Sequence, residues 1–140
     1  MSAAGPGTAI MPFEAGHASG VSALAEAEGW PTFSDPDRVL RLSAAPGVFS
    51  RVAVRDGRVV GAAHLLSDGH HAYLTFLAVA IDHRRGGVGR RLIGELFRAS
   101  GAERIDLLST PEANAFYQNL PNSALAGFRL HPGQSGSFDA

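Results

Sequence analysis

One stretch constrains this chain more than any other: Tyr73-Leu-Thr-Phe-Leu-Ala-Val-Ala-Ile-Asp-His-Arg-Arg-Gly-Gly-Val-Gly-Arg-Arg-Leu-Ile-Gly-Glu-Leu-Phe97. It opens with a run of apolar and β-branched residues long enough for a buried strand. It turns through Asp82-His83-Arg84-Arg85-Gly86-Gly87 and resumes at Val88 with helical spacing. Val88, Leu92 and Leu96 stand at i, i+4 and i+8, with Ile93 and Phe97 one step off. Strand, glycine-rich loop and helix in that order build an anion site. The first N–H groups of a helix lack intrahelical partners, and the macrodipole adds partial positive charge there. Glycines at 86, 87 and 89 remove Cβ atoms, so a phosphate can approach the backbone closely. Arg84, Arg85, Arg90 and Arg91 add formal charge around the turn. Basic side chains at a helix start oppose the dipole unless an anion offsets them. The cluster therefore favours a phosphate-bearing ligand over plain solvated surface.

Absences narrow the chemistry. A P-loop requires Gly-x-x-x-x-Gly-Lys-Ser/Thr, and the chain has no lysine. A dinucleotide fingerprint requires Gly-x-Gly-x-x-Gly, whereas the spacing here is Gly86-Gly87-x-Gly89. Without lysine there is no Schiff base, and without cysteine there is no disulfide, thiolate nucleophile or Cys-ligated zinc. A net charge of −1 speaks against a dedicated nucleic-acid binder. The longest apolar runs are too short to span a bilayer, and the N-terminus lacks the pattern of a signal peptide. The expectation is a soluble cytoplasmic protein with no membrane and no nucleic-acid partner.

At 140 residues the chain is expected to form a single domain, 1–140, with 1–8 and 133–140 flexible. Ile10 to Phe13 reads as an edge strand limited by Pro12. Ala18 to Glu28 reads as a helix with Ser19 as cap, and Ser34-Asp35-Pro36 starts a second helix ending near Pro46-Gly47. Phe49 to Arg55 and Arg58 to Leu66 flank Asp56-Gly57, the best hairpin signal present. Ser67-Asp68-Gly69 turns into the strand of the opening stretch. Gly101 suits the C-terminal cap of the helix from Val88. Arg104 to Leu108 is then a strand parallel to its predecessor, Pro111 to Leu120 a helix, and Gly127 to Leu130 a last short strand. The order β–α–α–β–β–β–α–β–α–β predicts an α+β (mixed α/β) domain. Its central sheet is mostly antiparallel, with one parallel strand pair, and helices flank it.

Arg84-x-x-Gly87-x-Gly89, preceded by Leu77-x-Val79 and followed by Phe116-Tyr117, resembles the acetyl-CoA loop and its surroundings in the GNAT superfamily of N-acetyltransferases. The resemblance covers nearly the whole chain and is most specific from Leu77 to Phe128. It implies that backbone N–H groups from Arg85 through Gly86, Gly87, Val88 and Gly89 to Arg90 hold the CoA pyrophosphate. It implies that backbone groups of Leu77, Ala78 and Val79, beside a gap between two splayed strands, meet the acetyl and pantetheine parts. It further implies that Tyr117 stands near the departing sulfur as general acid, a role open to a phenol of pKa about 10. Two departures stand out: threonine at 110, where the family more often has asparagine, and the longer loop 118–126 before Gly127-Phe128.

The activity so implied is transfer of an acetyl group from acetyl-CoA, as cosubstrate and without a metal, to a primary amine of a small molecule in a ternary complex. A non-catalytic acyl-CoA-binding module and a protein or peptide acetyltransferase are the alternatives. Trp30 and Phe33, two aromatics on one loop, are the acceptor-pocket candidates, with packing onto the sheet an equal explanation. Glu26, Glu28, His64, Asp68, His70 and His71 are the candidate bases, and none is preferred. Exposed sheet edges leave room for a homodimer.

Overall fold

The computed structural model describes residues 7–134 and 136–138. The chain separates into two compact units, Met1–Leu107 and Leu108–Ala140. The first contains β1 (Thr8–Pro12), α1 (Ala18–Ala27), α2 (Pro36–Ser43), β2 (Val48–Arg55), β3 (Arg58–Ser67), β4 (His71–Val79), α3 (Val88–Ser100) and β5 (Arg104–Asp106). Among the described residues the strands form one sheet in the order β1-β2-β3-β4-β5. The first three pairings are antiparallel and β4–β5 is parallel. This is the mixed α+β architecture that the sequence predicts.

Local chemistry explains most element boundaries. Asp56 and Gly57 both take positive φ, 51° and 75°, the two left-handed positions of a type I′ turn matched to strand twist. Asp35 caps α2 by accepting from the Asp37 amide at 3.1 Å, with Pro36 in the first turn. Gly101 closes α3 at φ 67°, its N–H donating to the Phe97 carbonyl at 3.0 Å. Ser19 does not cap α1. That helix continues a 3-10 turn, Ala15–His17, in which His17 Nδ1 accepts from the Glu14 amide at 2.9 Å. The expected N-terminal flexibility does not reach Thr8, which is buried and pairs with Arg55; residues 1–6 lie outside the described residues.

The sheet is covered on both faces. The α3 stripe Val88, Leu92 and Leu96 is fully buried. Each such side chain stabilises the fold by about 1.5–3 kcal/mol relative to exposure. Its seat is Gly61 on β3: a Cβ there would stand 2.8 Å from Val88 Cγ1 and 3.2 Å from Leu92 Cδ1. Neighbouring residues on a strand face opposite ways. Accordingly Ala62 joins Val52, His64, Phe76, Phe33 and Val39 around a small apolar cavity on the other face.

The second unit has little regular structure. A 3-10 turn, Pro111–Ala113, leads into α4 (Asn114–Gln118), shorter than the expected helix to Leu120. Asn122 Nδ2 then donates to the Leu120 carbonyl at 2.7 Å. The strand expected at 127–130 does not form: Phe128 and Leu130 are 84% and 76% exposed, and neither joins a ladder. An isolated extended segment has nothing to offset its ordering entropy. Of the tail expected to be flexible, 136–138 form a turn, and 135, 139 and 140 lie outside the described residues.

Candidate functional site

β4 changes character partway along. It pairs with β3 over its length, but with β5 only at His71, Ala72 and Tyr73. The residues 74–79 have no sheet partner on that side among the described residues. The change coincides with a bulge. The β3–β4 register passes from Leu65↔Leu74 to His64↔Phe76, leaving Thr75 as the extra residue. Bulges bend a strand and end its regular pairing. Leu77, Ala78 and Val79 therefore lie on a bare strand edge, Ala78 buried and the other two half-buried. Such an edge offers backbone N–H and C=O groups to an extended ligand.

The edge leads directly into the loop. After Val79 the chain makes a 3-10 turn, Ile81–His83, and reaches α3 through Arg84, Arg85, Gly86 and Gly87. Arg85 and Gly87 adopt left-handed φ, 69° and 85°. Gly87 is the N-cap of α3, which has no side-chain cap, and its carbonyl accepts from Arg91 N at 3.0 Å. Val88 and Gly89 are buried in the first helical turn, and Arg90 is exposed there. An uncapped helix start entered through glycine suits an anion.

The four arginines are not equivalent. Arg84 Nε donates to the Val79 carbonyl at 3.1 Å. Its Nη2 forms an ion pair with Glu28, the C-terminal residue bounding α1. Arg91 Nη1 donates to the Thr8 carbonyl at 3.3 Å. Arg84 and Arg91 thus tie the loop and helix to the rest of the fold, and Arg85 and Arg90 are solvent-exposed residues beside the helix start. The Glu28–Arg84 pair escapes sequence reasoning because its members lie 56 residues apart.

Aromatic residues gather beyond the bulge. Phe33 is 4% exposed and stacks on Phe76, centroids 4.5 Å apart, with the His64 ring at 5.0 Å on another side. Trp30 meets Phe76 edge-on at 5.1 Å and is half-buried. The two acceptor-pocket candidates therefore share one β4 residue, with Phe33 in the core and Trp30 partly open. His64 is 5% exposed; its Nδ1 lies 2.6 Å from Thr75 Oγ1, and Nε2 has no partner among the described residues. Burial holds the imidazole below its usual pKa.

The remaining candidate bases lie elsewhere. Glu26 is exposed on α1 and Glu28 is engaged by Arg84. Asp68, His70 and His71 cluster where β4 begins. The Asp68 carboxylate accepts from the His71 and His70 amides at 2.8 and 2.9 Å, which hold it below the usual carboxylate range. His70 Nδ1 is 3.2 Å from Glu103 Oε2. At about 3.3 Å per residue, the length of β4 puts this cluster roughly 26 Å from the loop.

In the second unit, Tyr117 sits on α4 with its ring 5.0 Å from that of Phe116. Burial pushes its phenol up to about 12, so it stays protonated throughout the neutral range. Ser109 Oγ donates to the Thr110 carbonyl at 3.0 Å and lies 2.7 Å from Asn114 Oδ1. Among the described residues no three His, Asp or Glu side chains are placed to share a metal ion, and no helix is long and apolar enough to cross a membrane.

A family model described as an acetyltransferase (GNAT) domain matches residues 47–120. That span runs from the start of β2 through α4 and includes both the loop and Tyr117. No curated protein sequence matches the chain. A putative acetyltransferase from Deinococcus radiodurans R1 has a similar structure: TM-score 0.73 and 23% identity, covering 94% of this chain and 92% of that one. Aminoglycoside N-acetyltransferase AAC(6')-Iy, in complex with CoA, gives a TM-score of 0.72 at 18% identity over 90% and 99% of the two chains. A Trypanosoma brucei acetyltransferase gives 0.70 at 20% identity over 89% and 99%.

Proposed function

The chain belongs to the GNAT acetyltransferase family and is an acyltransferase, and on that premise we propose that it moves an acetyl group from acetyl-CoA to a primary amine of a small molecule. The observation that carries the donor half is the bare edge 74–79 of β4 running straight into the uncapped start of α3. The loop from Arg85 to Arg90 fits a pyrophosphate, by backbone N–H groups, helix dipole and exposed guanidinium charge. Leu77, Ala78 and Val79 fit an amide-bearing arm that adds to a strand edge. The Val79 carbonyl is already held by Arg84 and one side of β4 is paired with β3, which leaves the backbone groups on the bare side to receive the arm.

A neutral amine attacks the thioester carbonyl, its nitrogen forming the C–N bond while a β4 N–H near Leu77 stabilises the developing oxyanion. The C–S bond then breaks as the Tyr117 phenol gives its proton to the departing thiolate, and the proton that the attacking nitrogen sheds to solvent is matched by one that water returns to the phenol. Trp30, aromatic and partly open, belongs on the acceptor side; Phe33 supports it from the core. The names of similar folds that act on aminoglycosides support a small amine as acceptor. A cytoplasmic setting and pairing of two copies are part of the same reading.

Titration calorimetry with acetyl-CoA and CoA tests the donor half. Gly87→Glu places a side chain and a negative charge at a left-handed position of the loop, and is expected to abolish binding. A native protein that binds neither ligand would overturn the reading. In a screen of amines, Tyr117→Phe is expected to lower turnover about 10²–10⁴-fold, the usual worth of a general acid. Because burial raises this phenol to about 12, its loss of the proton should not limit the rate below about pH 10. An unaffected Tyr117→Phe enzyme would remove the acid from Tyr117.

A further inference from the structure

The extra residue of the β4 bulge is fastened in a way that no loop motif records. Thr75 Oγ1 donates to the His64 carbonyl at 3.1 Å and stands 2.6 Å from His64 Nδ1. A threonine has one hydroxyl proton. Both contacts are satisfied when that proton goes to the carbonyl and Nδ1–H donates to the hydroxyl oxygen. His64 is in turn held from the cavity side, where the Phe33 ring packs on its imidazole. The neighbours of Thr75 along the strand, Leu74, Phe76 and Leu77, are apolar and offer no polar reference for register. Apolar alternation alone specifies a bulge weakly, and losing it would slip the residues on one side of it by one position against β3 and turn their side chains to the opposite faces.

Resting on the donor reading above, we propose that His64 and Thr75 are positioning residues that fix where the sheet opens, and so set the register in which 76–79 present backbone groups to the pantetheine arm. Pairing with β5 ends at Tyr73, two positions before Thr75, and the bare edge begins there. Among the described residues, the hydrogen bonds and ring contact of the pair run to each other and to Phe33, and none to the loop at 84–90 or the start of α3, so its influence is expected to fall on the arm.

That confinement gives the test. Acetyl-CoA probes loop and edge together, whereas adenosine 3′-phosphate 5′-diphosphate, the part of CoA without the arm, probes the loop alone. Thr75→Val keeps the shape and removes the hydroxyl that joins the His64 carbonyl and Nδ1 to the bulge. It is expected to weaken acetyl-CoA binding about tenfold, the fold-change of one lost hydrogen bond. Binding of the armless nucleotide should stay within about twofold, and Thr75→Ser, which restores the hydroxyl, should return the native ratio. Should Thr75→Val fail to fold, His64→Asn and His64→Leu make the same comparison. Asparagine sets an amide nitrogen near the place of Nδ1 and should keep the ratio, and leucine should lose it. An unchanged ratio of the two affinities in Thr75→Val and His64→Leu, or an equal weakening of both ligands, would overturn the proposal. A native protein that binds the armless nucleotide no less tightly than acetyl-CoA would also overturn it. Failure of the native protein to bind either would bring down the donor reading first.

Discussion

The two compact units spend their apolar residues in opposite ways. In the first, Phe76, Leu65, Leu92 and Leu96 are sealed between the sheet and its helices. In the second, Leu125, Phe128, Leu130 and Phe138 all lie open to solvent. The sequences do not announce this difference: Gly127-Phe-Arg-Leu130 alternates as a half-buried strand should, and Thr75-Phe-Leu-Ala78 runs apolar as a buried one should. What separates them is a partner. β4 finds β3 and β5, whereas the segment at 127–130 joins no ladder. A strand pattern is only a propensity, and pairing is what makes a strand.

The contrast breaks most visibly in the core. Leu92→Ala removes a fully buried side chain and should cost ~2–5 kcal/mol, the range for large-to-small changes in packed interiors. Urea unfolding followed through Trp30, the sole tryptophan, should show a lower midpoint with an unchanged slope. A loss under about 0.5 kcal/mol would mean that the α3 stripe is not load-carrying core.

A smaller effect should appear on acidification. Burial lowers the folded pKa of His64, so as pH falls through about 6.5 the unfolded chain takes up the proton first. Stability from this site is full above that pH and is lost below it. Asp68, Asp82 and Glu95, held below the usual carboxylate range by their hydrogen bonds, join only at lower pH. Between pH 7 and 5 the melting temperature of the native protein should therefore drop more than that of His64→Asn. Parallel curves would show that His64 titrates as it does when unfolded.

The smallest effect sharpens the comparison from the other side. Phe128→Ser should shift the unfolding midpoint by no more than about 0.5 kcal/mol, as exposed substitutions do. A destabilisation matching that of Leu92→Ala would show Phe128 buried in solution and the contrast false.

What could be read in advance follows the same division. Asp56-Gly57, Asp35-Pro36, Gly101 and the Val88–Leu92–Leu96 stripe are local signals, and each stands where the sequence puts it. The glycine-rich turn into α3 was legible for the same reason, since strand, loop and helix are contiguous. Long-range choices were not. Nothing local marks Thr75 as a bulge, because the register of β4 depends on His64 eleven residues earlier. Nothing near Arg84 tells that Glu28 will occupy it. The shortness of α4 and the missing strand at 127–130 are failures of the same kind, since a propensity was present and the packing that would have realised it was absent.

Arg85 carries a consequence of its own. A side chain at φ 69° gives up about 1–2 kcal/mol that glycine would keep, and glycine already occupies the next two positions. The chain retains a bulky cation at the one place in the turn where a hydrogen atom would be easier to accommodate. On the proposed reading this is a stability–activity compromise. Arg85→Gly should yield a sturdier protein with a weaker grip on polyanions, so selection for thermal robustness alone would be expected to erase this residue.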